Sequence, residues 1–109
     1  MDTWRTVGTV LSNWRLERRL NCAASRIAEA VFPELWENVR KKLADKSVAD
    51  LVAYARLRAA QLVQPHVERI VLADPSLAGA DANRLILKSA AIATESALGA
   101  VQKFRRMAA

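Results

Sequence analysis

The last long segment of the chain, Asp81 to Arg106, reads as a helix with almost no solvent face. Leu85, Ile86, Ser89, Ile92, Ala93, Ser96, Ala97, Ala100 and Phe104 line one side of it. Leu87, Ala91, Thr94, Leu98 and Val101 line most of the other. Arg84, Lys88, Glu95 and Gln102 leave only a narrow polar strip. A helix that is apolar nearly all round must be covered nearly all round. A chain of 109 residues has little material for that, so the pattern points to a second chain. Small residues recur four apart, in the row Ser89, Ala93, Ala97 and in the pair Ser96, Ala100. Small side chains let helix axes approach closely.

The rest of the sequence agrees with helices and only helices. Three Gly and three Pro are too few for strands joined by tight turns. Apolar residues make up 52% of the chain, enough for a core without staples. Residues 1–109 are expected to form one all-α domain, a bundle of four or five helices.

Trp4, Val7, Leu11 and Trp14 recur at helical spacing, and so do Leu16, Leu20, Ala23, Ile27 and Val31. At about 100° per residue the two stripes point to nearly opposite sides of one helix. Either the chain breaks near Ser12–Asn13, both good N-caps, or one long helix packs against two different things. The break is the preferred reading, with helices over about 3–12 and 13–31. Pro33 suits the first turn of a next helix, with Glu34 and Glu37 at its positive end and Arg40, Lys41 and Lys42 at its negative end. Ser47-Val48-Ala49-Asp50 is a capping-box pattern. It opens a long helix over about 47–73, whose apolar stripe stays in phase across Pro65 and which is therefore read as kinked rather than broken. Asp74-Pro75 ends it, the segment through Gly79 is a loop, and Asp81 caps the last helix, about 81–106.

The net charge is +6, from 17 basic and 11 acidic residues. The excess lies in the outer segments. Residues 1–46 hold nine bases and six acids, residues 47–74 three of each, and residues 75–109 five bases and two acids. Arg15, Arg18, Arg19 and Arg26 fall along one side of a helix, and two further clusters lie at 40–42 and 103–106. These clusters are candidate phosphate contacts. A solvated face is the plainer explanation, because no aromatic alternates with the arginines to stack on bases. A helix-turn-helix over 33–58 is a related reading, weakened by the long apolar face of the helix that follows.

The inventory for catalysis is thin. Gly8, Gly79 and Gly99 are scattered and form no phosphate loop. One Cys and one His cannot build the usual structural zinc site, so no metal or cofactor is expected. His66 falls on an apolar helix face directly after Pro65, which frees the carbonyl of Gln61. The plainer reading is a neutral buried imidazole, and the sharper one a ligand-binding or pH-sensing group. Cys22 reads as a small filler rather than a nucleophile.

No apolar leader or membrane-length span is seen, and the lone cysteine forbids an internal disulfide, so the expected location is cytoplasmic. The stripe Trp4, Val7, Leu11 and Trp14 reads first as core, next as a partner contact and last as a membrane-surface contact, which no polybasic polar face accompanies. The favoured function is a non-enzymatic adaptor or regulator that pairs helices, as a homodimer, through Trp4, Val7, Leu11, Trp14, Leu87, Leu98 and Val101. A nucleic-acid-binding regulator using the basic clusters is the alternative. A ligand or enzymatic pocket around His66 is the third.

Overall fold

A computed structural model describes the backbone of residues 2–108 and the side chains of residues 8 and 10–108. It holds three α-helices: α1 (Asp2–Lys42), α2 (Val48–Ala73) and α3 (Ala80–Ala108). A single 3-10 turn, Pro75–Leu77, joins α2 to α3. There is no strand among the described residues.

The expected four or five helices are therefore three, because α1 runs unbroken through both expected breaks. Ser12 and Asn13 stand exposed in mid-helix. Pro33 also lies inside α1. A proline there removes one backbone hydrogen bond and crowds the carbonyl four residues earlier. Glu29 and Pro33 are both exposed, so that carbonyl lies on the side of the helix that water reaches. Meanwhile Ile27, Val31, Leu35 and Val39 are all buried on one face that crosses the proline without a change of phase. Packing on that face outweighs the local preference to stop.

The connections follow local chemistry. Ser47 is extended and its hydroxyl accepts from the Asp50 N–H at 3.3 Å, capping α2. The Asp74 N–H closes α2 on the Ile70 carbonyl at 2.8 Å, and the Asp74 carboxylate then caps the 3-10 turn by accepting from the Ser76 N–H. Gly79 follows at φ 76°, a left-handed conformation that glycine adopts without strain. Its carbonyl accepts from the Asn83 N–H, so α3 begins at Ala80 and the expected cap, Asp81, lies in the first turn instead.

Cross-helix contacts set the directions. Glu17 meets Arg84, the Lys88 ammonium donates to the Asn21 side chain at 3.0 Å, and Trp36 meets the Phe104 ring edge-on at 6.2 Å. The sequence offset stays nearly constant, so α1 and α3 run parallel. Arg19 pairs with Asp74 at 3.3 Å and Glu34 with Arg58 at 3.6 Å, so α2 runs antiparallel to both. This also removes the helix-turn-helix reading, since α1 and α2 lie alongside one another as a hairpin rather than crossing steeply.

Each helix sends one face inward. Leu51, Ala55, Ala59, Val63 and Val67 of α2 meet Leu85, Ser89, Ala93, Ala97 and Val101 of α3 and the Leu20–Val39 face of α1. Many of these side chains are small, so the helices sit close. The two buried hydroxyls cost little. Ser89 donates to the Leu85 carbonyl at 2.7 Å and Thr94 to the Ala90 carbonyl at 2.7 Å, within their own helix.

Close packing makes two expectations. Ala93 is fully buried, and Ala93→Leu should destabilise the fold by about 1–3 kcal/mol through overpacking. Leu35 is equally buried, and Leu35→Ala should cost about 2–5 kcal/mol. Urea unfolding followed by circular dichroism measures both. An unchanged midpoint for Ala93→Leu would mean that the helices are not held close by small residues.

Candidate functional site

Two surfaces collect the residues that the fold leaves uncovered. The first is the outer face of α1. A 41-residue helix is about 61 Å long, against about 39 Å for the 26 residues of α2 and 44 Å for the 29 of α3. The longest dimension of the molecule, 64 Å, is the length of α1. Since Arg84 lies level with Glu17, the start of α3 reaches only to about residue 13 of α1. The turns before that project past the bundle, and a Cβ placed on Gly8 would meet nothing within 4 Å. Val10 and Leu11 are 60% and 50% exposed on this stretch, and Trp14, just after it, is 57% exposed. Leu11 and Trp14 are thus not core. Trp4 and Val7 lie outside the described side chains.

The same outer face continues into the basic strip. Arg15, Arg18, Arg19 and Arg26 are all exposed, and with Trp14, Cys22 and Ala23 they line one shallow hollow. The core side of the helix, Leu20, Ala24, Ile27 and Val31, faces the opposite way. The Arg18 guanidinium sits over the Trp14 ring at 5.4 Å, so an aromatic does belong to this strip. The spacing of four between Trp14 and Arg18 was the signal for it, once residues 12 and 13 are helical. Among the described residues, Arg15, Arg18 and Arg26 have no carboxylate within ion-pair distance, whereas Arg19 holds Asp74. Cys22 is a free thiol on this outer face, turned away from the core.

The second surface is the seam between α2 and α3 on the side away from α1. Two adjoining hollows follow it, and no α1 residue lines either. One is lined by Ala60, Leu87, Ala90, Ala91, Leu98 and the ends of Arg56 and Glu95. The other continues along Val67, Val71, Leu72, Ala82 and Ile86. Leu72 is 82% exposed and Leu87 71% exposed at its rim. Leu98 is half-buried in its wall. Val101, expected at this interface, is instead buried in the chain's own core, because α2 covers that part of α3. Leu72 lies two positions beyond Ile70, where the apolar stripe of α2 ends, so the stripe does not point to it.

The remaining candidates stand apart. His66 is half-buried on α2, makes none of the side-chain hydrogen bonds found among the described residues, and lines neither seam hollow. No group of three metal-ligating side chains occurs among the described residues. Arg40–Lys42 and Lys103–Arg106 end α1 and α3 at the same end of the bundle, well away from the Arg15–Arg26 strip. The three basic clusters therefore form two separate regions rather than one track. No described helix is long and apolar enough to cross a membrane. No family model, curated protein or solved structure matches the chain.

Asp74 links the surfaces to the fold. Its carboxylate accepts from the Ser76 hydroxyl and N–H and pairs with Arg19 across to α1. The hydrogen bonds from Ser76, chiefly the hydroxyl's, with the Arg19 charge behind them, hold its carboxyl below the usual range. A carboxyl depressed in the folded state contributes stability above its unfolded pKa, about 4, and loses it as pH falls through the folded value. The melting temperature should therefore drop as pH is lowered from about 5 to 3. Asp74→Asn should lower the melting temperature at pH 7 and flatten that drop, as thermal melts across the pH series would show.

Proposed function

We propose that this chain is a non-enzymatic helical interaction protein that pairs with a second copy of itself along the α2–α3 seam. The observation that carries the reading is the pair of large aliphatic side chains, Leu72 and Leu87, held almost bare at the rim of an apolar groove. Most hydrophobic side chains of a small monomer are turned inward, and a contiguous apolar groove with a charged rim is the usual form of a helix-docking site. Alanines in the groove, Ala60, Ala82, Ala90 and Ala91, give an incoming helix room to approach. Gln64, Glu68, Arg56 and Glu95 supply a polar rim.

The partner in this proposal is the same seam on another copy. A two-fold axis makes one self-complementary patch sufficient for a dimer. In this arrangement Leu87 and Leu98 keep the role the sequence suggested, while the α1 tip takes no part. A cytoplasmic location belongs to the same proposal and rests on composition alone.

A nucleic-acid-binding regulator is the second reading. The uncompensated guanidinium groups of Arg15, Arg18 and Arg26 and the Arg18–Trp14 pair favour it. It leaves the seam without a role.

Light scattering after size-exclusion chromatography tests the dimer. The wild-type chain should run as a dimer at micromolar concentration. Leu87→Glu, which places a charge where the two seams meet, should weaken the dimer at least tenfold and leave the helical signal unchanged. A wild-type chain that stays strictly monomeric at about 100 µM, where even a weak contact of roughly 5–6 kcal/mol would show, sinks the proposal.

A further inference from the structure

We propose that the outer face of α1 docks on the surface of an anionic lipid bilayer, with Leu11 and Trp14 entering the interface and Arg15, Arg18 and Arg26 meeting the headgroups. The inference does not rest on the seam dimer.

Two features coincide on one helix face. The first is apolar. Leu11, on the turns that project past α2 and α3, and Trp14, beside the first turn of α3, are half or more exposed. The second is charge. From Thr3 to Ala28 the sequence holds five arginines and a single acid, Glu17. Glu17 points toward α3 and is neutralised there by Arg84 and by Lys88 at 3.4 Å. Apart from Asp74, which pairs with Arg19, the outer face thus shows positive charge without a compensating acid until Glu29. Because α1 is continuous, the apolar tip and the arginines lie in one line, about 39 Å long over those residues.

Charge complementarity selects among occupants. A second copy of this face would bring the unpaired arginines of both chains together. A nucleic acid would satisfy the guanidinium groups but leave Leu11 in water. A bilayer carrying anionic lipid satisfies both halves. Aliphatic and Trp side chains of an interfacial helix sink to the acyl boundary, and Arg heads reach phosphate and carboxylate groups above it. Trp is favoured at that depth. The overall charge of +6 adds long-range attraction to such a surface. No described helix is suited to span the bilayer, so the protein lies on it.

Vesicle co-sedimentation tests this with the full chain. One vesicle set is pure phosphatidylcholine, and the other carries 30 mol% phosphatidylserine. At about 0.1 M salt the protein should bind the second set and not the first, and binding should weaken at 0.5 M salt. The variant R15Q/R18Q/R26Q removes three surface charges and should weaken binding roughly a hundredfold. Leu11→Ser with Trp14→Ser should abolish it. Both sets are exposed, and an unchanged circular dichroism spectrum verifies that the variants fold. In W4F/W36F, where Trp14 is the remaining tryptophan, emission should shift to the blue on binding. Leu87→Glu should bind vesicles like the wild type, which separates this proposal from the seam dimer. Absence of binding to the anionic vesicles, or binding that the serine variant retains, overturns it. So does preferential binding of a 20-base-pair DNA duplex that is insensitive to Leu11→Ser and Trp14→Ser.

Discussion

One helix that outruns its neighbours governs this molecule. α1 has 41 residues, and α2 and α3 have 26 and 29. Three helices joined by short turns cannot cover a helix half as long again as either partner. Some of α1 must project, and sequence decides which part. The C-terminal half carries the in-phase stripe Leu20, Ile27, Val31, Leu35 and Val39, so that half is enclosed. On the projecting turns Val10 and Leu11 are left exposed, beyond the reach of α2 and α3.

The enclosed half works because the interior is built from small residues. Ala24, Ala55, Ala59, Ala93 and Ala97 are fully buried, and Ser89 joins them with its hydroxyl turned back onto its own helix. Close axes give a short chain a dense core without large side chains. That density has a consequence for α3. With its Leu85–Val101 row taken up by α1 and α2, the Leu87–Ala91 side is left outside, and the α2–α3 seam inherits it. A nearly all-apolar helix is thus covered on most sides by its own chain and bared on one.

Much of this was legible in the residues, and the errors share a cause. The span of α2 is legible because its apolar stripe keeps its phase across Pro65. The same holds at Pro33, since Val31, Leu35 and Val39 are spaced four apart across it. Phase across the proline, not proline's preference for a first turn, decides that α1 continues. At Ser12–Asn13 the reversal of apolar side was real, but it marks a change in what the helix faces rather than a break. The stacking of Arg18 on Trp14 was hidden by that break, because residues on two helices have no fixed spacing. Val101 lies in the core rather than at the seam for a different reason. Which flank of α3 meets α2 depends on the rotation of the helix, and composition does not encode rotation for a helix apolar on both flanks.

The two uncovered surfaces point in opposite directions, and this limits how they could cooperate. All three helices touch one another, so α1 lies across one side of the α2–α3 pair and the seam opens on the other. A dimer closed across the seam would carry its two α1 faces outward on opposite sides. Neither face would be shielded by pairing, and each could meet a separate surface. Pairing and surface binding would then be independent in affinity, because neither event alters the residues the other uses. What couples them is only rigidity. The Arg19–Asp74 and Glu17–Arg84 contacts tie α1 to the start of α3 and to the turn before it.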